Sequence, residues 1–154
     1  MAYWDWDRSY ELGIDIIDKQ HQRIVQYIND LQNTLKTRDR EKIADTIANI
    51  ADYTVSHFAH EELLMEKAGC ASLEIHKKIH ESFMQTVERY QNSFKQGYDI
   101  AGQLMAELQI WLTYHILNED KSYAQSIKRL FEKESQPKKT EIKKRSWFAK
   151  LFGG

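Results

Sequence analysis

The sequence predicts an all-α protein: an up-down-up-down four-helix bundle with an N-terminal arm and a short C-terminal extension. Three observations carry that reading. Four segments place apolar residues in alternating steps of three and four, the mark of a helix that buries one stripe. The breaks between them are short, so successive helices run antiparallel. Only one proline and six glycines occur in 154 residues, too few for a turn-rich β fold.

The first stripe reads Ile14, Ile17, His21, Ile24, Ile28, Leu31, Leu35, and the second Ile43, Ile47, Ile50, Thr54, His57, Glu61, Leu64. The third reads Leu73, His76, His80, Phe83, Val87, Tyr90, Phe94, and the fourth Ala101, Leu104, Leu108, Trp111, His115. Turn character appears at Thr37-Arg38-Asp39-Arg40, Ala68-Gly69-Cys70 and Gly97-Tyr98-Asp99. A shorter helical piece is expected from about Lys121 to Phe131. The bundle is expected to occupy residues 1–134 and a basic, partly amphipathic tail residues 135–154.

Composition narrows the class further. The chain is 42% hydrophobic and 29% charged, ordinary for a globular protein. Its start, MAYWDWDRSY, has neither a basic nor an apolar leader region, so no secretion signal is expected. No apolar run reaches the length of a membrane span. The lone Cys70 excludes an intrachain disulfide and fits a reducing cytoplasm. It reads as a small residue in an interhelix turn, with a reactive thiol as the alternative.

The net charge of −1 divides into −6 for residues 1–134 and +5 for residues 135–154. An acidic globule is not expected to bind nucleic acid. In the tail, Trp147, Phe148, Leu151 and Phe152 would form one apolar edge of a helix beside basic residues. That composition suits an anionic membrane surface at the inner membrane face or an acidic protein groove, so residues 138–152 are a candidate contact for either partner. A plain solvated tail is the alternative.

The stripes carry polar residues where core residues belong. Five of the six histidines lie on them, together with Glu61. One histidine on an apolar stripe is usually a satisfied core residue, but five with a buried carboxylate are costly unless paired or bound to metal. His57 and Glu61 are four apart, as are His76 and His80, an offset of about 40° on a helix, so each pair shares a face. His21 and His57 are equidistant from residue 39, His57 and His80 from Ala68-Gly69, and His80 and His115 from Gly97-Tyr98. In an antiparallel bundle these residues therefore meet at one level near one end. Asp120, five after His115, lies about 140° around a regular helix. It faces the same centre only if the fourth helix ends or distorts near Leu117-Asn118-Glu119, which spacing alone leaves open. His60 falls off the stripe and reads as a flank residue.

Imidazole and carboxylate without thiolate suit first-row metals such as iron, zinc or manganese, and this donor set exceeds the needs of one ion. The segments His57-Phe58-Ala59-His60-Glu61, His76-Lys77-Lys78-Ile79-His80 and His115-Ile116-Leu117-Asn118-Glu119-Asp120 resemble the H-x-x-x-E, H-x-x-x-H and H-x-x-x-x-D motifs of hemerythrins, bacterial ones in particular. Gly13 to His21 resembles the family's first-helix signature, Trp6 an aromatic of its N-terminal arm, and Tyr123 an aromatic after its second carboxylate. The likeness spans roughly residues 4–131.

The resemblance implies two irons, cycling between Fe2+ and Fe3+. His76, His80 and His115 would hold one, His21 and His57 the other, with Glu61, Asp120 and an oxo or hydroxo group bridging them. Those ligands fill all but one coordination position of two six-coordinate irons. Dioxygen would bind reversibly in the gap, each ferrous iron giving one electron, with little room for a second substrate. Phe58, Trp111, Leu112 and Ile24 resemble the family's lining of that pocket, although plain core packing also accounts for them. The implied function is storage, delivery or buffering of dioxygen in the cytoplasm, not catalysis. Two other classes stand beside it: a sensor of dioxygen, nitric oxide or redox state signalling to a partner, and an enzyme processing peroxide or nitric oxide. One departure concerns the loop after the second helix. Many family members carry Tyr-Pro there, and this chain has Gly69-Cys70-Ala71-Ser72.

Overall fold

A computed structural model of the chain describes residues 1–136 and 149–151. Helices α1 (Asp15–Leu35), α2 (Arg40–Lys67), α3 (Leu73–Lys95) and α4 (Ala101–Tyr114) form the bundle. Each packs against its chain neighbours, and α1 closes the ring against α4. The helix expected near Lys121–Phe131 is α5 (Lys121–Ser135), joined to α4 through a π-helical turn at His115–Asp120 and lying against α2. No described helix is long and apolar enough to cross a membrane. Most of the expected tail, including Trp147, Phe148 and Phe152, lies outside the described residues.

The stripes bury as their spacing requires. Ile17, Ile24, Ile28 and Leu31 of α1, Ile43, Ile47 and Ile50 of α2, Phe83, Val87 and Phe94 of α3, and Leu104, Leu108 and Leu112 of α4 form one core. Burying each such side chain contributes about 1.5–3 kcal/mol. The stripe residues Leu35, Leu73, Tyr90 and Trp111 are only partly buried, because they sit at helix ends or on the seam between helices.

The chain reverses through well-defined caps. The Asp39 carboxylate accepts from the backbone N–H groups of Glu41 and Lys42 at the start of α2. After α2, Gly69 N–H bonds to the Glu66 carbonyl and Cys70 N–H to the Met65 carbonyl, each at 3.0 Å. After α3, Gly97 and Tyr98 repeat the pattern on Phe94 and Ser93 at 3.0 and 3.1 Å. Both are Schellman caps, and both need a left-handed residue, which the glycines supply at φ 67° and 101°. The loop lacking Tyr-Pro is thus closed by a glycine cap, with the half-buried Cys70 in the turn.

The arm folds back over one end of the bundle. The Trp4 backbone exchanges two hydrogen bonds with the Asn29 amide, at 2.8 and 2.9 Å. Asp18, only 8% exposed, accepts from Leu12 N–H and Gly13 N–H. Lys121 of α5 donates to the Ser9 carbonyl.

Candidate metal centre

Seven polar side chains meet beneath the arm, where an apolar core would otherwise continue. His21 comes from the second turn of α1, His57 and Glu61 from the last turns of α2, His76 and His80 from the first turns of α3, and His115 and Asp120 from the two ends of the π turn. All seven are at most 3% exposed. They converge at one level because the helices reverse about the midpoints their spacing indicates.

The π turn accounts for Asp120. Lys121 N–H bonds to the Ile116 carbonyl, five residues back rather than four. Widening the turn lets residues five apart share a face, and Asp120 Oδ1 lies 3.0 Å from His115 Nε2.

The two carboxylates divide their oxygens between two sets of histidines. Glu61 Oε1 is 2.6 Å from His76 Nε2 and 3.4 Å from His80 Nε2, whereas Oε2 is 3.3 Å from His57 Nε2 and 3.9 Å from His21 Nε2. Asp120 Oδ1 faces His76 at 3.3 Å and His115 at 3.0 Å, while Oδ2 faces His21 at 3.2 Å. One donor atom from each of Glu61, His76, His80, His115 and Asp120 lies within 4.8 Å of the others, and a second such group is His21, His57 and Glu61.

The donor atoms fit metal better than they fit one another. Neither nitrogen of His21, nor His57 Nε2, Glu61 Oε2 or either Asp120 oxygen, has a hydrogen-bond partner, although all are buried. Buried polar atoms are rarely left so. His80 Nε2 and His115 Nε2 face each other at 2.9 Å. The Nδ1–H of His80 is directed to Glu62 and that of His115 to Glu119. Both inward nitrogens therefore present lone pairs, an arrangement that calls for a cation between them.

Without metal, the charges settle by proton sharing. Burial opposes charge on His76, yet the nearby carboxylates of Asp120 and Glu61 push it up to about 9. Burial likewise opposes charge on His115, and Asp120 and Glu61 again raise it. Burial dominates at His57 and lowers it. Glu61 is held well below the carboxylate range: burial works against its charge, but the close imidazoles of His57, His76 and His80 prevail. Asp120 is lowered too, since His115, His21 and His76 outweigh burial and the repulsion of Glu61.

Residues 12–127 match the family described as "Hemerythrin HHE cation binding domain". The chain belongs to the hemerythrin family. It is 41% identical over 128 residues to the bacteriohemerythrin of Pseudomonas aeruginosa, covering 83% of this chain and 84% of the relative. It is 32% identical over 125 residues to that of Clostridium acetobutylicum, covering 77% and 96%. The myohemerythrin of Riftia pachyptila is 30% identical over 118 residues, covering 77% and 88%. A solved structure of a wild-type hemerythrin superposes with a TM-score of 0.77 at 28% identity, covering 82% of this chain and 98% of that one.

Aromatic side chains surround the hemerythrin-type cluster. Phe58 stacks on His80 with centroids 3.7 Å apart, and Trp111 stacks on His115 at 4.3 Å and on Phe83 at 3.7 Å. Leu112 is buried one turn before His115, and Ile24 one turn after His21. Tyr123 packs edge-on to His76, its hydroxyl buried and without a partner.

Three polar residues at the cluster escaped the sequence reading: Gln20, Glu62 and Glu119. Gln20 Oε1 accepts from His57 Nδ1–H at 2.8 Å, and the Gln20 Nε2 donates to His60 Nδ1 at 2.9 Å, so the flanking His60 is half-buried and bonded. Each of the three adjoins a residue of the cluster in sequence: His21, Glu61 and Asp120. That adjacency was the available signal.

Proposed function

We propose that the chain binds dioxygen reversibly at a pair of irons and serves to store, deliver or buffer it. His76, His80 and His115 would hold one iron, His21 and His57 the other, and Glu61 and Asp120 would join the two. A bound pair of irons supplies the electrons that dioxygen takes up on binding and returns on release. One observation carries the reading: the two carboxylates split their oxygens between a three-histidine and a two-histidine group in a dry interior.

The side chains divide the work. Glu62, Glu119 and Gln20 hold Nδ1–H of His80, His115 and His57, so each ring turns its Nε2 lone pair inward. Phe58, Trp111, Leu112 and Ile24 line the pocket and keep water and protons from reacting oxygen, which favours release over irreversible oxidation. The relatives named bacteriohemerythrin support a carrier over an enzyme.

The test is anaerobic reduction of the iron-loaded protein, then air, while the visible spectrum is followed. A coloured form should appear with stoichiometric uptake and bleach under inert gas. Multiple turnovers with a reductant, or isolation of the native protein as a colourless zinc form, would refute the carrier reading.

The carrier is read as cytoplasmic, with residues 1–134 as the oxygen-binding unit and 135–154 as a docking tail. Its +5 charge supports contact with an anionic membrane or an acidic protein through residues 138–152. Of these, Ala149, Lys150 and Leu151 are described and exposed. Full-length protein should co-sediment with anionic vesicles or an acidic partner, and a chain ending at 134 should not. Identical behaviour of the two would dismiss the tail's role.

A further inference from the structure

The imidazoles of the two metal positions are backed by groups of different charge. In the three-histidine group, His80 Nδ1–H donates to Glu62 Oε1 at 2.8 Å and His115 Nδ1–H donates to Glu119 Oε2. In the two-histidine group, His57 Nδ1–H meets the neutral Gln20 amide at 2.8 Å, and His21 Nδ1 is buried with no partner. At its other end the Gln20 Nε2 donates to His60 Nδ1, and its Oε1 faces His57. Two full negative charges therefore support one group and none supports the other.

A carboxylate on Nδ1–H draws the proton away from the ring and makes Nε2 a stronger donor, whereas an amide only orients the ring. We propose that Glu62 and Glu119 are positioning residues that make the His76–His80–His115 position the tighter and more electron-rich of the two metal positions, while Gln20 keeps the His21–His57 position neutral and weaker. The proposal rests on the two-metal reading of the cluster but not on what the metals bind. The first ion to load, and the last to leave, occupies the three-histidine position. In a half-oxidised pair, the ferric ion sits there too, leaving the ferrous one at the two-histidine position.

Glu62 and Glu119 are partly open to solvent, with side chains 23% and 24% exposed, so exchange for glutamine is isosteric and leaves no buried hole. Metal-free full-length protein is titrated with Co(II), whose visible spectrum reports each site as it fills. The wild-type chain should take up two ions in unequal steps. Glu62→Gln and Glu119→Gln should each weaken the tighter step by about 10- to 100-fold and leave the weaker step nearly unchanged. Gln20→Glu should tighten the weaker step by about 10-fold, a gain that misfolding cannot imitate. In iron-loaded protein, Glu62→Gln should raise the more negative of two reduction potentials, a shift that a purely structural role would not produce. Equal loading steps, a uniform loss at both, or no response to any of the three substitutions would overturn the proposal. Unequal steps without reversible oxygen uptake would leave it standing and remove the proposed function instead, whereas reversible uptake with equal steps would do the reverse.

Discussion

Stripping the metals from this protein should lower its melting temperature by roughly 8–16 °C, and the cluster shows why. Five inward-facing donor atoms have no hydrogen-bond partner: His21 Nε2, His57 Nε2, Glu61 Oε2 and both oxygens of Asp120. A buried polar atom left unsatisfied costs about 1–3 kcal/mol, so five could cost about 5–15 kcal/mol, as much as a whole domain's stability. The metal-free chain recovers part of that sum through His76, pushed up to about 9, which returns charge-assisted contacts to Glu61 and Asp120. What metal adds is then the remainder. Two ions, present on average at about 30 times their dissociation constants, together stabilise by about 4 kcal/mol. A chain of this size shifts by about 2–4 °C for each kcal/mol. The assay is calorimetry on chelator-treated protein and on the same sample reloaded anaerobically with Fe(II), at matched pH and protein concentration. A shift below about 2 °C would mean that the buried donors are satisfied without metal, and the reasoning from unpartnered atoms would fail.

The metal-free protein should also respond to pH through His76. Its folded-state value of about 9 exceeds the ordinary 6.5, so its contribution is complete below 6.5 and disappears as pH rises through 9. Glu61 and Asp120 are depressed, and their contribution is lost on acidification, so urea melts should show greatest stability in mildly acidic solution and a decline toward pH 9. No decline between 6.5 and 9 would refute the pairing. Phe58→Ala removes a ring 4% exposed that stacks on His80, and should cost about 3–5 kcal/mol in chemical denaturation as well as speed oxidation of the loaded centre. A loss below about 1 kcal/mol would show that the ring is not packed. Gly69→Ala meets nothing within 4 Å, so its cost comes from the left-handed backbone alone, about 1–2 kcal/mol; an unchanged denaturation midpoint would contradict the Schellman cap.

The bundle was legible because its cause is one-dimensional. Steps of three and four fix which face is buried, and glycines at 69 and 97 mark helix ends that only a left-handed residue closes. The level of the cluster was legible for the same reason, since reversing an α-helix about a short turn makes register a matter of arithmetic. What stayed hidden depends on the third dimension. Gln20, Glu62 and Glu119 lie on helix flanks and read as ordinary solvated residues. Only the packing of α1 on α2 and α2 on α3 brings the first two to the backs of His57 and His80.

Asp120 marks the limit of periodicity in a different way. The assumption of a uniform 3.6-residue turn sends it away from His115, and no residue in His115-Ile116-Leu117-Asn118-Glu119-Asp120 announces a wider one. The wider turn is imposed from outside. On one side His115 is held by the Trp111 stack and the buried Leu108 and Leu112, and on the other Tyr123, Ala124 and Ile127 bury the first turns of α5. With both ends fixed, the intervening backbone takes up one extra residue as a π turn. Glu119 and Asp120, adjacent in sequence, then reach opposite nitrogens of the same imidazole, Nδ1 and Nε2. The ring is clamped from both sides by one turn of backbone. The packing of α5 therefore helps to set the geometry of the centre, although no residue of α5 supplies a donor to the cluster.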